Sequence, residues 1–283
     1  MPDRNAHERN RAAWNAATLA HDSHRPNQAA FYRNGGSTLY PEDRDLLGDL
    51  RGRHVAHLQC NAGQDTLSLM QEGAASVTGI DISDTAIALA RALSAETGIP
   101  ATFVRSDLYD WLTGTDDRFD IAYTSYGALN WLSDIEQWAA GVARILKPGG
   151  RLVVVEYHPT YGIFENGWQI TFPALGGVPV VFDQGIGDYV AETGIAPGGY
   201  AAGTEGFVNL NPSHEFTWGI GDIVGAVLDA GLRLTTFREY PYSNGFRRFP
   251  DMRELPGGRF AMPEGMPDIP MMFGLSAEKP ANA

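Results

Sequence analysis

The sequence predicts an α/β fold, a mostly parallel sheet with helices packed on its faces. Three observations carry that expectation. Residues 55–81 read V-A-H-L-Q-C-N-A-G-Q-D-T-L-S-L-M-Q-E-G-A-A-S-V-T-G-I-D: an apolar run, a turn, a helical stretch, and a second apolar run ending on an acid. Short apolar runs then alternate with helical segments as far as residue 157, the pattern of consecutive βαβ units. The 283 residues are 43% hydrophobic and 19% charged, ordinary for a globular chain with a sizeable core.

Residues 1–50 precede the first core strand. Arg4 to Leu19 reads as a polar helix, with Ala12, Ala16 and Leu19 in helical spacing. His21 and His24 sit three apart, which suits a metal, but no third ligand stands nearby, so both read as polar loop residues. His7 and His54 read as surface or structural. Val55 to Gln59 suits a buried strand, and Asn61-Ala62-Gly63 is turn chemistry. Thr66 to Glu72 is helical, with Leu67 and Met70 on one face. Ser76 to Ile80 is the second strand, and Asp81 stands at its C-terminal end. Ser83 to Thr97 is a helix: Ser83 is its N-cap, Ile82 and Ile87 can staple across it, and Gly98 with Pro100 stops it. Ala101 to Arg105 is the third strand, after which Asp107 can cap a short helix through Trp111.

Phe119 to Tyr123 is the fourth strand, running into T-S-Y-G-A-L-N-W-L. The next helix is expected over Asn130 to Leu146. Its core face is Trp131, Ile135, Trp138, Val142 and Ile145, so no chemistry is assigned to those tryptophans. Lys147-Pro148-Gly149-Gly150 turns the chain into strand five, Arg151 to Glu156. Tyr157 to Glu215 is a long, glycine-rich and aromatic-rich segment. Its length and its β-type pieces, such as Val178 to Phe182, predict a small cap rather than disorder. Asp222 to Ala230 is a helix, Leu232 to Tyr240 strand six and Met271 to Ala277 the last strand. Pro241 to Pro270 reads as a Pro-rich loop.

The turn at 59–63 narrows the ligand. A βαβ unit sets a close backbone turn and a helix N-terminus beside a nucleoside, and an acid about 20 residues on, here Asp81, accepts from ribose hydroxyls. A dinucleotide site needs G-x-G-x-x-G, yet only Gly63 falls in this turn, followed by Gln64, Asp65 and Thr66. No G-K-[ST] follows either. An acid at a helix start is a poor neighbour for phosphate. A nucleoside without phosphates, such as an adenosyl sulfonium, fits. Net charge is −13 and pI about 4.9, which argues against a nucleic-acid acceptor. Cys60 is the single cysteine, so no intrachain disulfide forms. No apolar stretch reaches a membrane span and no signal-peptide core opens the chain, so no membrane partner and a reducing cytoplasm are expected.

Residues 55–81 resemble motifs I and II of the class I S-adenosylmethionine-dependent methyltransferases. Motif I in that family is an acid followed by alternating glycines. Here His57, Gln59 and Asn61 replace three of those residues, and only Gly63 matches. The H-L-Q-C-x-x-G-x-D-T variant resembles a bacterial subgroup, and T-S-Y-G and K-P-G-G extend the resemblance over about 55–157. The resemblance implies a Rossmann-like, seven-stranded, mostly parallel sheet in the order 3-2-1-4-5-7-6. It implies an N-terminal helical lid over 1–50 and a methyltransferase domain over 51–283. A cap inserted at about 157–217 and the loop 241–270 would lie over the active site.

S-adenosylmethionine is the implied cofactor. The implied donor contacts are His57, Gln59, Asn61, Gly63 and Asp65 in the first turn and Asp81 with Ile82 after strand two. Asp107 with Leu108 would meet the adenine, and Ser125 closes strand four. Trp14, Tyr32 and Tyr40 are lid candidates. Methyl transfer is an in-line displacement, for which the protein aligns the partners and excludes water. A base is needed where the acceptor loses a proton. His158 is the first candidate, because histidine titrates near neutral pH; Tyr126 and His214 follow, and Glu156 is expected to face the donor or the core edge. No cluster has metal-ligand spacing, and this chemistry needs no metal. The whole-chain pattern resembles methyltransferases of actinobacterial secondary metabolism. That implies a small aromatic or heterocyclic natural-product acceptor, methylated on carbon or nitrogen, the indole of a tryptophan-derived cyclic dipeptide among them. Trp168, Tyr200 and Trp218 would stack such an acceptor. Two alternatives stay open: a non-catalytic, S-adenosylmethionine-binding regulatory module, and an O-methyltransferase of a small phenol or acid. A homodimer is left open as well. The missing glycines argue against a nicotinamide oxidoreductase.

Overall fold

The computed structural model describes residues 1–165 and 167–281. Residue 166 of the expected cap and residues 282–283 of the expected domain lie outside the described residues. Three helices open the chain: α1 (Arg4–Ser23), α2 (Gln28–Arg33) and α3 (Pro41–Leu47). Strands and helices then alternate: β1 (His54–Leu58), α4 (Gln64–Gln71), β2 (Ser76–Asp81), α5 (Asp84–Thr97), β3 (Thr102–Arg105), α6 (Leu108–Gly114), β4 (Phe119–Ser125), α7 (Ile135–Ile145) and β5 (Leu146–Tyr157). The segment after β5 holds α8 (Pro159–Gly162), β6 (Phe164–Glu165), β7 (Gln169–Ile170), β8 (Val178–Phe182), α9 (Tyr189–Thr193) and β9 (Ser213–Thr217). The chain closes with α10 (Ile220–Asp229), β10 (Arg233–Tyr240), β11 (Tyr242–Asn244), β12 (Arg253–Leu255), β13 (Arg259–Ala261) and β14 (Met272–Glu278).

The main sheet has seven strands in the order β10-β14-β5-β4-β1-β2-β3. With β10 and β14 as sixth and seventh core strands, this is the expected order. The strands from β3 through β5 pair in parallel, and β14 runs antiparallel between β5 and β10. Central strands are covered on both faces, so their apolar runs need not alternate with polar residues; Val153, Val154 and Val155 are all fully buried. One face packs on Trp138, Val142 and Ile145 of α7 and on Ile223 and Val227 of α10. The other meets Leu46 and Leu47 of α3 and Leu69 of α4.

Several expectations are corrected. The helix expected from Asn130 starts at Ile135, because Asp134 caps it by accepting the Gln137 N–H (2.9 Å). Leu129–Trp131 is a separate 3₁₀ turn, which takes Trp131 off the buried helix face. The 241–270 segment is not a loop: β11, β13 and β12 form an antiparallel sheet. Three-residue strands are too short to show a period in the sequence. His21 and His24 are not loop residues but buried ones that tie α1 to the post-β5 segment. His21 Nε2 lies 2.9 Å from the Gly187 carbonyl, and His24 Nε2 lies 2.9 Å from Asp188 Oδ2. For His7, expected to be surface or structural, the structural alternative holds: it is buried between Asp107 Oδ2 and Ser133 Oγ, each 2.7 Å away. Tyr32 packs in the cluster with Leu67 and Ala90, and its hydroxyl donates to the Gln64 carbonyl (2.9 Å).

Candidate functional site

A cavity of about 610 Å³ opens at the C-terminal ends of β1, β2 and β4, the end where open α/β sheets bind ligands. The turn after β1 is tight although it carries side chains. Gln59 (φ 56°) and Asn61 (φ 48°) both adopt left-handed backbone, which asparagine tolerates through its short polar side chain. Hydrogen bonds hold it there. Asp81 Oδ2 accepts the Asn61 N–H (2.8 Å), and Asn61 Oδ1 accepts the Ala62 N–H (2.7 Å). Asp81 Oδ1 accepts the Ser83 N–H (2.8 Å), so one carboxylate ties the first turn to the end of β2. Burial raises the Asp81 pKa, opposed by the N–H groups of Ser83, Asn61 and Ile82.

Gly63 serves a different purpose from the one expected. It caps α4 at φ 81°, and a Cβ there would stand 2.8 Å from Phe103 and 2.9 Å from Ala90. It lets α4 pack on α5 and β3 and does not line the cavity. Gly63→Ala is therefore expected to cost about 2–4 kcal/mol, the sum of overpacking and left-handed strain. Thermal or urea unfolding measures this; an unchanged midpoint would refute it.

Asp65 accepts from Thr38 Oγ1 (2.6 Å) and Ser125 Oγ (3.2 Å), joining α4 to the segment before α3 and to the end of β4. His57 Nδ1 lies 2.8 Å from Thr66 Oγ1, and burial holds the ring below its ordinary pKa. Asp107 caps α6 through the Tyr109 N–H (2.9 Å) and also meets His7 and Arg4. Burial alone would raise the Asp107 pKa, but His7 and Arg4 hold it down to about 2. Two buried polar atoms on the cavity wall have no protein partner: the Gln59 amide oxygen and the Arg25 Nε. An acceptor and a guanidinium donor left open suit a ligand with both an ammonium and a carboxylate, as the methionine end of S-adenosylmethionine has.

The turn after β4 is held by Glu156 at the end of β5, whose carboxylate accepts the N–H groups of Gly127, Ala128 (2.7 Å) and Leu129 (3.0 Å). The expectation that Glu156 faces the donor or the core edge thus resolves into a cradle for this turn. Tyr126 sits in it at φ 39°, and its hydroxyl donates to Asp43 Oδ2 (3.0 Å) and accepts from Asn244 Nδ2 (3.0 Å). Trp131 Nε1 donates to the Gly127 carbonyl (2.7 Å), and its ring meets Trp14 edge-on, centroids 5.4 Å apart.

The structure brings most of the expected donor residues to one place. His57, Gln59, Asn61 and Asp65 line the first cavity, as do Asp81, Ile82, Asp107, Leu108 and Ser125; Gly63 is the exception. Trp14 and Tyr40 line it as well. A second cavity of about 590 Å³ lies under the post-β5 segment, and Tyr126, Trp14, Trp131, Tyr157 and Tyr189 line both.

The histidine candidates for the base lie outside the first cavity. His158 caps α8, its Nδ1 accepting the Thr160 N–H (3.1 Å), while Nε2 stands 3.1 Å from Glu239 Oε1 without hydrogen-bond alignment. It borders only the second cavity, and burial lowers its pKa against the pull of Glu239. His214 lies outside both cavities, its Nε2 3.2 Å from the Arg9 guanidinium and its backbone paired with the Asn10 side chain.

Of the expected stacking residues, Trp218 lines the second cavity. Trp168 packs on Phe249 and Tyr200 on His24, away from both. Asp43, Arg25 and Trp131 went unrecognised in the sequence. Only Trp131 carried a local signal, since Ser133-Asp134 after it is helix N-cap chemistry. Among the described residues, no three His, Cys, Asp or Glu side chains gather as a metal site, and no helix is long and apolar enough to cross a membrane.

Comparison with known proteins agrees with this geometry. Residues 55–150 match the methyltransferase domain family. The chain is 31% identical over 143 residues to a demethylmenaquinone methyltransferase of Lactococcus lactis, covering 47% of this chain and 55% of that protein. It is 33% identical over 144 residues to an uncharacterized methyltransferase of Synechocystis, covering 45% and 64%. The chain thus spans between about half and two thirds of the curated relatives it matches. The crystal structure of an S-adenosylmethionine-dependent methyltransferase from Mesorhizobium loti superposes with a TM-score of 0.53 at 23% identity, over 84% of this chain and 96% of that one. That likeness concerns the fold. Residues 55–150 thus resemble the methyltransferase domain family, and they lie on a sheet whose fold is shared with that structure.

Proposed function

We propose that the whole chain methylates a small planar acceptor held in the second cavity, with S-adenosylmethionine in the first. The observation that carries this reading is the junction: two cavities of similar size meet at Tyr126, Trp131 and Tyr189. When bound, the donor supplies a methyl group on a sulfonium, already activated for in-line displacement. The chain's own task is binding, alignment and exclusion of water.

In this reading Asp81 accepts from the ribose hydroxyls, Ile82 and Leu108 cover the adenine, and Asp107 meets its edge. Arg25 and Gln59 take the methionine carboxylate and ammonium. His57, Asn61, Asp65 and Ser125 complete the wall. Residues 1–50 act as the lid and 157–217 as the cap. On the acceptor side Trp131, Tyr189 and Trp218 offer ring faces. Glu215, whose Oε2 accepts from Asn130 Nδ2 (3.0 Å), offers a carboxylate to an N–H or O–H group. Burial raises its pKa, against Asn130 and Arg248. The name of the Lactococcus relative, a methyltransferase of demethylmenaquinone, points the same way, to a planar cyclic acceptor. An aromatic or heterocyclic natural product methylated on carbon or nitrogen fits best, with the indole of a tryptophan-derived cyclic dipeptide as the leading candidate and actinobacterial-type secondary metabolism as its setting.

Calorimetric titration with S-adenosylhomocysteine, with NAD run alongside, is the first test. The expected result is a one-site isotherm for the nucleoside and no heat from NAD. Labelled donor is then offered with a tryptophan cyclic dipeptide and with a small phenol. Binding without label transfer to any acceptor would favour the regulatory module, and no binding would overturn the reading.

A further inference from the structure

We propose that Asp43 is the proton acceptor of the reaction, reached from the methyl acceptor through the hydroxyl of Tyr126. The inference rests on the methyltransferase reading above and adds to it a base from outside every motif. Asp43 is fully buried, and its hydrogen-bond partners are all neutral. Oδ2 accepts the Tyr40 N–H (2.7 Å) and the Tyr126 hydroxyl (3.0 Å), and Oδ1 accepts the Tyr123 hydroxyl (2.9 Å). The neighbouring Glu42 takes the cation instead: it binds Arg259, the Tyr242 hydroxyl (2.7 Å) and Asn244 Nδ2 (3.0 Å). A carboxylate with no cation is expensive to bury, and its capping of α3 through the Tyr40 N–H offsets only part of that cost.

The route outward is short. Tyr126 bonds Asp43 on one side and lines both cavities on the other. Its left-handed backbone, held by the Glu156 cradle, is strain kept at a functional position. The groups facing Asp43 all bear on its charge. Burial, then the charge of Asp65, push it up to about 8, while the Tyr40 N–H, Tyr123 and Tyr126 oppose. Burial, then Asp43, push the Tyr126 phenol well above its ordinary range, so Tyr126 passes a proton on rather than holding a charge. His57, held down by burial, stays neutral beyond Asp65.

The step balances. The acceptor's X–H bond breaks and its proton joins Tyr126 Oη, while the proton of Tyr126 moves to Asp43 Oδ2. The X–CH₃ bond forms as the methyl–sulfur bond breaks, and the electron pair stays on sulfur. The positive charge of the sulfonium and the negative charge of Asp43 vanish together. Once product leaves, Asp43 returns its proton through Tyr126 to water in the cavity.

Infrared difference spectra of the protein with S-adenosylhomocysteine, taken from about pH 6 to about pH 10, read Asp43 directly without any methyl acceptor. The carboxylic acid stretch should disappear with a midpoint of about 8 and be missing from Asp43→Asn. Tyr126→Phe removes a donor to the ionised form and should raise the midpoint by about one unit. In turnover assays with the cyclic dipeptide or the phenol, kcat should rise about tenfold per pH unit below the midpoint and level off above it. Asp43→Asn should lower kcat at least about 100-fold and flatten that profile, while Kd for S-adenosylhomocysteine stays within about threefold. Tyr126→Phe, which keeps Asp43, should lower kcat similarly. An infrared band that does not respond to pH, a midpoint unmoved in Tyr126→Phe, or a pH profile unchanged in Asp43→Asn would overturn the relay. A wild-type protein that shows the band but binds no S-adenosylhomocysteine would instead overturn the methyltransferase reading.

Discussion

Replacing Asp81 with alanine is expected to weaken S-adenosylhomocysteine binding at least about a hundredfold. Hydrogen bonds to a charged group contribute about 1.5–3 kcal/mol each, and two ribose hydroxyls would be lost together. The carboxylate has a second task, because it also accepts the N–H groups of Asn61 and Ser83 at 2.8 Å each. Without it the turn that holds Gln59 and Asn61 in left-handed backbone loses its anchor. Calorimetry separates the two tasks. Asp81→Asn keeps one acceptor oxygen and much of the shape, so its affinity should fall about tenfold. A dissociation constant unchanged in Asp81→Ala would sink the ribose assignment, and a full loss in both variants would mean that the turn, not the hydroxyls, dominates.

Glu156→Gln should lower both stability and turnover. The carboxylate accepts the N–H groups of Gly127, which is partly buried, and of Ala128 and Leu129, which are buried. A glutamine of the same shape turns one acceptor oxygen into an amide donor, which would face those N–H groups. Leaving one or two buried donors unsatisfied costs about 3 kcal/mol, and for a chain of this size that lowers the melting temperature by roughly 6–12 °C. Below the new midpoint the enzyme should still bind S-adenosylhomocysteine, because the donor turn after β1 is built separately. Turnover should fall with the displacement of Tyr126. An unchanged melting temperature would show that the cradle is dispensable.

The alternation of strands and helices was legible in the sequence because it follows from local periods: 55–81 already reads as one βαβ unit, whereas the order of the sheet came from the family resemblance. Helix ends were legible where capping is local. Ser83 accepts the Ala86 N–H (3.1 Å), and Gly98 ends the same helix in left-handed backbone. Most of the expected donor residues line one cavity because position in a βαβ unit fixes which strand end a residue occupies. The helix over 130–146 was misjudged because its apolar spacing continued through a turn that Asp134 interrupts.

By itself the sequence determined the alternating strands and helices, the turn after β1 without a glycine fingerprint, and the acid at the end of β2. All three depend on neighbours within about thirty residues. Only the tertiary structure decided which groups meet at the junction of the two cavities. Asp43 meets Tyr126 across 83 residues, Asn244 reaches it across 118, and His24 meets Asp188 across 164. Such meetings leave no period and no spacing in the chain. They arise when separate elements are packed together, and the same packing removes the water that would otherwise mask the charge of a buried carboxylate.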